Sequence, residues 1–329
     1  MSGTAGLDAS AADVLARRLG PAAQRDAPLG ARTTYRVGGP AAVLIEVDDE
    51  GGLRHVHDAL AELAAPVPLL VVGQGSNLLV ADAGFPGLVV LLGAGFAEIE
   101  LSGTRVRAGG GVKLPVLARR CAAAGLRGLE WAVGVPGSVG GALAMNAGGH
   151  GSDTAAVLEA YRVFDLQTGT AREGVVEDLR FGYRRSALGP AHVVVWARFA
   201  LVRGDRAEAE ALVADIVAWR RANQPGGSNA GSVFTNPPGD AAGRLVEAAG
   251  CKGLRIGTAH VSGKHANFIQ ADTGGSAADV RRVLEAVRAA VAERLGVTLS
   301  TEVRMVGFAG DRLPTVTAAA STFSGGRDR

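Results

Sequence analysis

Apolar positions along the chain recur in two periods, and their alternation divides it into three stretches that each mix strand and helix. Residues 41–47 (AAVLIEV) and 67–72 (VPLLVV) are short apolar runs of strand length. Between them Leu53, Val56, Leu60 and Leu63 recur at helical spacing over 50–63. This β-α-β order, followed by a glycine-rich loop, predicts a first α/β unit ending near Val90. Ahead of it, Ser10 stands where it would cap a short helix over 11–19, which Gly20-Pro21 stops. In the second stretch, 98–101 and 104–108 read as a hairpin around Ser102-Gly103, and 113–124 as a helix closed by Gly125. Residues 128–151 carry little periodicity, and the runs 157–166 and 192–202 read as strands. The third stretch opens with a helix over 205–223, with Leu212, Ile216 and Trp219 on one face, ended by Gln224-Pro225-Gly226-Gly227. A short helix over 243–249 and a strand over 266–270 follow. Ser276 then caps a long helix reaching Leu295, with Val280, Val283, Leu284, Val287 and Val291 inward. Residues 297–306 alternate as a strand. The predicted division is 1–90, 91–204 and 205–307, with 308–329 a disordered tail, being Ala/Ser/Thr/Gly-rich without a period.

Composition narrows the class. Hydrophobic residues make up 47% and charged residues 20%, enough apolar surface to offset ordering entropy. Lys and Arg number 34 against 32 Asp and Glu, and aromatics are 5%, which argues against a phosphate-tracking or base-stacking nucleic-acid surface. Cys121 and Cys251 sit in no CxxC pair and read as reduced, partly buried thiols. The six histidines and these thiols show no metal-ligand spacing, so no metal is expected. No signal peptide and no membrane-length apolar run is read, so the expected location is cytoplasmic. Glycine is the outlier: 48 residues, about 15% and roughly twice average usage.

Much of that glycine is concentrated in two places. Gly73-Gln74-Gly75-Ser76-Asn77 follows directly on an apolar strand. Glycines there let backbone N–H groups approach an anion, although the same residues serve equally as a tight turn. The loop is neither a Walker loop nor a GxGxxG fingerprint. The second cluster is Gly134-Val135-Pro136-Gly137-Ser138-Val139-Gly140-Gly141, running on to Asn146-Ala147-Gly148-Gly149. A stretch this long without periodicity in a compact domain is more often functional than ornamental. Together the two loops are suited to holding both ends of a long diphosphate cofactor.

Several motifs, in order, carry a resemblance. They are Thr34 to Ala41 (TYRVGGPA), Gly73 to Val80, Gly128-Leu129-Glu130 through Gly151, and Tyr183-Arg184-Arg185-Ser186. Ala230 to Pro237 (AGSVFTNP), Lys252 to Gly257, Val261 to Ile269 and Leu299 to Gly307 complete the set. Across 32–307 the chain resembles the flavin-dependent UDP-N-acetylenolpyruvoylglucosamine reductases (UDP-N-acetylmuramate dehydrogenases) of peptidoglycan synthesis. The resemblance implies an α+β chain: a two-subdomain FAD-binding fold of the vanillyl-alcohol-oxidase type plus a C-terminal α+β substrate-binding domain. It implies FAD as cofactor, NADPH as reductant and UDP-N-acetylglucosamine enolpyruvate as substrate, with neither nucleic acid nor membrane as partner. Cofactor contacts map onto Gly73, Gly75, Ser76, Asn77, Gly134, Pro136, Gly137, Ser138, Gly140 and Gly141, with Arg36, Asn146, Ala147 and Gly148 beside them.

The reaction implied by the resemblance sets chemical demands. Hydride adds to the enolpyruvyl methylene, and negative charge develops on the neighbouring carbon and its carboxylate. A cation or acid at that carboxylate and a proton donor at that carbon are needed. Arg184, in Tyr-Arg-x-Ser, matches the family's catalytic arginine, which grips a carboxylate bidentately. Ser232 in Ala-Gly-Ser matches the proton donor, and Glu302 in Ser-Thr-Glu-Val-Arg the catalytic glutamate. Tyr183, Asn236, Lys264 and His265 are expected on the substrate side; a structural role suits His265 equally well. Thr235 departs from the family by standing where many relatives carry lysine, which removes a charge from the diphosphate side. The rivals are an oxidase of the same fold and a non-catalytic sugar-nucleotide-binding homologue.

Overall fold

The computed structural model describes residues 6–63, 65–310, 313 and 315–316. Three sheets organise the chain. The first has its strands in the order Ala23–Ala27, Ala41–Val47, Phe85–Leu92, Val67–Val72, Thr315–Val316. The three central strands are parallel, and apolar on both sides, because both faces are covered. One face packs Leu15, Leu53, Val56 and Leu60 from helices α1 (Ala9–Leu19) and α2 (Glu50–Ala61). Phe164 and Val193 of the second unit join that same core, so the first two units share an apolar seam.

The second sheet is antiparallel, in the order Thr170–Val175, Leu158–Asp165, His192–Ala200, Arg105–Gly109, Ile99–Ser102. It packs on helices α3 (Leu114–Ala123), α4 (Val139–Met145) and α5 (Arg206–Asn223). The third unit joins a three-stranded antiparallel sheet (Arg255–Ile256, Ala259–Val261, Ile269–Ala271) to helices α6 (Ala242–Ala248) and α7 (Ala277–Leu295). All five predicted inward residues of α7 are fully buried.

Several expectations are corrected. The cap of α1 is Asp8, whose carboxylate accepts from the Ala11 N–H, and Ser10 lies inside the helix. The aperiodic stretch 128–151 contains a 3₁₀ turn, Glu130–Gly134, and α4, whose glycine content hid it from periodicity. The strand expected over 266–270 begins at Ile269, and that over 297–306 is confined to Arg304–Val306. The latter pairs in parallel with Leu78–Val80 and so ties the third unit back to the first. Helix α5 buries Ala209, Val213 and Ile216 in the core of the second unit, whereas Leu212 and Trp219 are 39% and 48% exposed. Positions 209, 213 and 216 make a helical stripe as good as 212, 216 and 219, and packing chose between them. In the predicted tail, Thr315–Val316 pairs with Val67–Pro68 at the edge of the first sheet; 317–329 lie outside the described residues.

The first and third units are also joined by a carboxylate. Asp82 accepts from Ser276 Oγ at 2.6 Å, from the Ala277 N–H at 2.8 Å and from the Ala278 N–H at 3.0 Å, closing the N-terminus of α7 from another unit. Burial raises the Asp82 carboxyl, but these hydrogen bonds outweigh it and hold the group below its usual value. A depressed carboxyl stabilises the fold above its unfolded pKa and loses that contribution as pH falls through the folded one. Asp82→Ala is therefore expected to lower unfolding free energy at pH 7 by about 1–2 kcal/mol, with the gap from the parent narrowing in acid. Urea titrations at two pH values measure it; equal midpoints at pH 7 would remove the latch.

Candidate active site

The three units meet around a cavity of about 610 Å³. Its wall takes Gly73 to Leu78 from the first unit and Gly134 to Ser138, Gly141, Ala147 to His150 and Arg184 from the second. The third unit adds Ala230 to Ser232, Phe268, Glu302 and Arg304. Arg184, Ser232 and Glu302, spread over more than a hundred residues of sequence, thus face one space.

The two glycine loops press against each other. A Cβ on Gly73 would come within 2.1 Å of Ser138 Oγ, and one on Gly137 would sit 3.7 Å from Ser76 Oγ. Gly75 adopts φ +59°, and a Cβ there would lie 2.8 Å from the Arg32 carbonyl oxygen, so only glycine fits this turn without strain. The backbone N–H groups of Gln74, Gly75 and Ser76 donate to no acceptor among the described residues. Free N–H groups on successive residues of a turn are what an anion-binding concavity uses. Asn77 also lines the cavity. Its side-chain amide donates to the Glu302 carbonyl at 3.0 Å, and its own carbonyl accepts from the Arg304 N–H at 3.0 Å. The loop therefore fixes the segment carrying Glu302.

Arg184 stands in a strained setting. Asn146, His150, Arg180 and Arg184 all have positive φ, at 41°, 52°, 43° and 55°. Such backbone costs energy in residues with side chains and clusters at functional sites. Asn146 holds the two loops together: its amide donates to Asp153 at 3.0 Å and to the Gly182 carbonyl at 3.4 Å, and its oxygen accepts from the Ala155 N–H. Ser186 Oγ anchors the other side on the Ala144 carbonyl at 3.0 Å. The Arg184 guanidinium then reaches the Gly148 carbonyl at 3.4 Å through both terminal nitrogens, while its Nε lies 2.7 Å from Glu302 Oε1. That last contact is too poorly aligned for a hydrogen bond, so the buried Nε–H keeps an unused donor. Burial pushes the Glu302 carboxyl above its usual value, and the adjacent Arg184 guanidinium only partly pulls it back.

Ser232 and Glu302 are held to each other through the backbone. The Glu302 N–H donates to the Val233 carbonyl at 2.8 Å. Buried Asn267 pins the following residues, accepting from the Phe234 N–H at 3.0 Å and donating to the Phe234 carbonyl at 2.8 Å. The Thr235 hydroxyl donates to the Ser300 carbonyl at 3.3 Å.

Seven expected site residues lie outside the cavity wall. Arg36 is exposed on a turn. Gly140 packs by its N–H on the Gly110 carbonyl, and Asn146 acts as described. Tyr183 is 59% exposed with the Arg184 guanidinium 5.3 Å from its ring centre. Asn236 accepts from the Ala242 N–H at the start of α6. Lys264 donates to the Arg221 carbonyl, and His265 packs edge-on against Phe268 and accepts from the Asn267 N–H. Burial lowers the His265 pKa. Conversely, Arg220 and Arg304 line the cavity, and among the described residues neither side chain has an ion pair or hydrogen bond. Burial lowers the Arg220 pKa. Arg220 stands in no quoted motif, and Arg304 ends the Ser-Thr-Glu-Val-Arg motif without a role of its own there; the fold brings both to the cavity. Two unpaired guanidinium groups, free N–H groups on a glycine turn and a facing glycine loop fit a dinucleotide diphosphate such as that of FAD.

Among the described residues no helix is long and apolar enough to cross a membrane. Comparison with known proteins agrees with the geometry. Residues 42–174 match the profile of an FAD binding domain, and 223–306 that of the UDP-N-acetylenolpyruvoylglucosamine reductase C-terminal domain. The chain is 43% identical over 283 residues to the UDP-N-acetylenolpyruvoylglucosamine reductase of Azorhizobium caulinodans, covering 86% of this chain and 91% of that one. It is 42% identical over 298 residues to that of Rubrobacter xylanophilus, covering 88% and 97%. The crystal structure of the enzyme from Thermus caldophilus superposes with a TM-score of 0.76 at 37% identity, covering 86% of this chain and 98% of that one. The expected fold class, an FAD-binding domain of the vanillyl-alcohol-oxidase type with a C-terminal domain, is borne out. The chain belongs to the UDP-N-acetylenolpyruvoylglucosamine reductases, flavin-dependent oxidoreductases of peptidoglycan precursor synthesis.

Proposed function

We propose that the chain reduces UDP-N-acetylglucosamine enolpyruvate to UDP-N-acetylmuramate with NADPH, in two alternating half-reactions, with Arg184, Ser232 and Glu302 as catalytic residues. The observation that carries this reading is the Arg184–Glu302 contact of 2.7 Å, with a carboxyl raised by burial, on a cavity wall that also includes Ser232. Gly73 to Ser76, Gly134 to Ser138, Gly141, Ala147 and Gly148 are the residues that would hold FAD, with Arg220 and Arg304 meeting its charge. When bound, FAD supplies a two-electron carrier between NADPH and the enolpyruvyl methylene.

The chain's own residues polarise and protonate. Arg184 uses its spare Nε–H and its charge to receive the substrate carboxylate. Glu302 beside that carboxylate favours its protonated form, since a like charge would raise its pKa further. It then donates a hydrogen bond to the oxygens where negative charge grows. The Ser232 hydroxyl gives its proton to the carbon next to the methylene as the double bond becomes single, and water restores it. A serine is a weak acid, so this step depends on the carbanion character of that carbon and on close geometry.

The reading is tested with the flavin-loaded protein under anaerobic conditions. NADPH is expected to bleach the flavin absorbance, and the enolpyruvyl nucleotide to restore it. Recovery by oxygen alone would favour an oxidase, and the absence of both changes a binding protein.

A further inference from the structure

Helix α5 carries an apolar stripe through Ala209, Val213 and Ile216 that is buried in the second core. One turn further on, Trp219 leaves that core, is 48% exposed, and lines the cavity with Arg220 beside it. A tryptophan half-open to water at a cavity rim gives up apolar burial that a shorter helix would have kept. Among the described residues its aromatic ring contact is His150, which also lines the cavity. The two rings meet at 86° with centres 5.1 Å apart. Neither ring is placed by accident of a loose chain: Trp219 sits on an eighteen-residue helix, and His150 in the positive-φ loop whose Gly148 carbonyl accepts from Arg184.

We infer that Trp219 and His150 form an L-shaped corner that stacks and orients the planar heterocycle of the nucleotide entering this cavity. The indole offers a π-face to any flat ring, and the imidazole closes one edge. The inference rests on the two-step reading above, in which a nicotinamide dinucleotide and a uridine diphosphate sugar meet the same flavin in turn. Both present such a ring next to a diphosphate, and the half-reactions separate them.

The test uses flavin-loaded parent, Trp219→Ala and Trp219→Phe proteins. Half-saturating concentrations are read from NADPH-driven bleaching and, separately, from recovery with the enolpyruvyl nucleotide. Loss of one stacked base costs about 1–3 kcal/mol, or about five- to 150-fold. Trp219→Ala is expected to raise one of the two concentrations about tenfold, while the saturating rate falls far less. Trp219→Phe, which keeps a π-face, should stay within about threefold of the parent. A rise in the NADPH arm assigns the corner to the dinucleotide, and a rise in the other arm to uracil. A second readout is independent of turnover. Trp131 and Trp196 are 4% and 7% exposed, so NADP+ or UDP-N-acetylglucosamine should change chiefly Trp219 emission, and Trp219→Phe should abolish that change. Unchanged concentrations in both arms, or weakened flavin retention as the only effect, would overturn the corner. If the parent protein neither bleaches nor recovers, the two-step reading fails, and the emission change still decides on the corner by itself.

Discussion

Ser232→Ala is expected to leave bleaching of the flavin by NADPH within a few-fold of the parent rate and to slow recovery with the enolpyruvyl nucleotide by about 10²–10⁴-fold. The asymmetry follows from what the hydroxyl does. Reduction of the flavin needs no proton at the substrate carbon, whereas the second half-reaction does. Ser232 is half-buried on a short segment whose neighbours Val233 and Phe234 are locked by Asn267 and by the Glu302 N–H. Loss of one oxygen from so fixed a segment removes the donor without moving the wall. Rapid mixing of each half-reaction separately measures both rates. Recovery at the parent rate would show that the proton comes from elsewhere, and Ser232 would then be a turn residue.

Glu302 has the second large effect, and its direction with pH is fixed by burial. Its carboxyl is raised by desolvation against the pull of Arg184. The protonated form, which is the hydrogen-bond donor, therefore persists above the usual carboxylate range. The second half-reaction is expected to slow as pH rises through that raised pKa. Glu302→Gln keeps a neutral donor and should retain most of the rate without that limb, while Glu302→Ala should lose about 10²–10³-fold. Stability gives a separate check. A folded state that holds a proton longer than the unfolded one loses stability as pH rises from the unfolded pKa to the folded one. Glu302→Gln removes that loss, so its denaturation midpoint should fall less than the parent's over the same interval. Equal, mild losses in rate for both variants would end the acid role.

The sequence was legible wherever a single segment decides its own structure. The stripe of α7 and the runs 41–47 and 67–72 are local patterns of burial, and each appears where its period put it. The residues proposed for catalysis were legible for another reason: ordered motifs carry chemistry that survives in residue type, and the fold brings Arg184, Ser232 and Glu302 to one cavity. Where two helical stripes were equally apolar, on α5, periodicity had no means of choosing, and Trp219 went to the cavity instead of the core. Glycine-rich α4 was hidden because its helix is held by the Ser138 cap and by burial of Val139, Ala142 and Leu143. Propensity does not supply either.

By itself, then, the sequence determined element types over its periodic stretches, the family, and the candidates for the reactive side chains. The tertiary structure alone decided which side chains line the cavity and which bond to the scaffold. Asn77 and Asn146 stand in motifs that suggest ligand contacts, and their side chains also bond to the scaffold: to Glu302, 225 residues away, and to Asp153 and Gly182. Arg220 and Arg304 look like ordinary surface charges, yet they face a shared cavity without a partner among the described residues. Asp82 closes a helix 194 residues further on. The physical reason is common to all of them. A polar side chain is assigned to ligand or to scaffold by which donors and acceptors surround it when the chain is packed, and those partners are set by long-range geometry that no local spacing records.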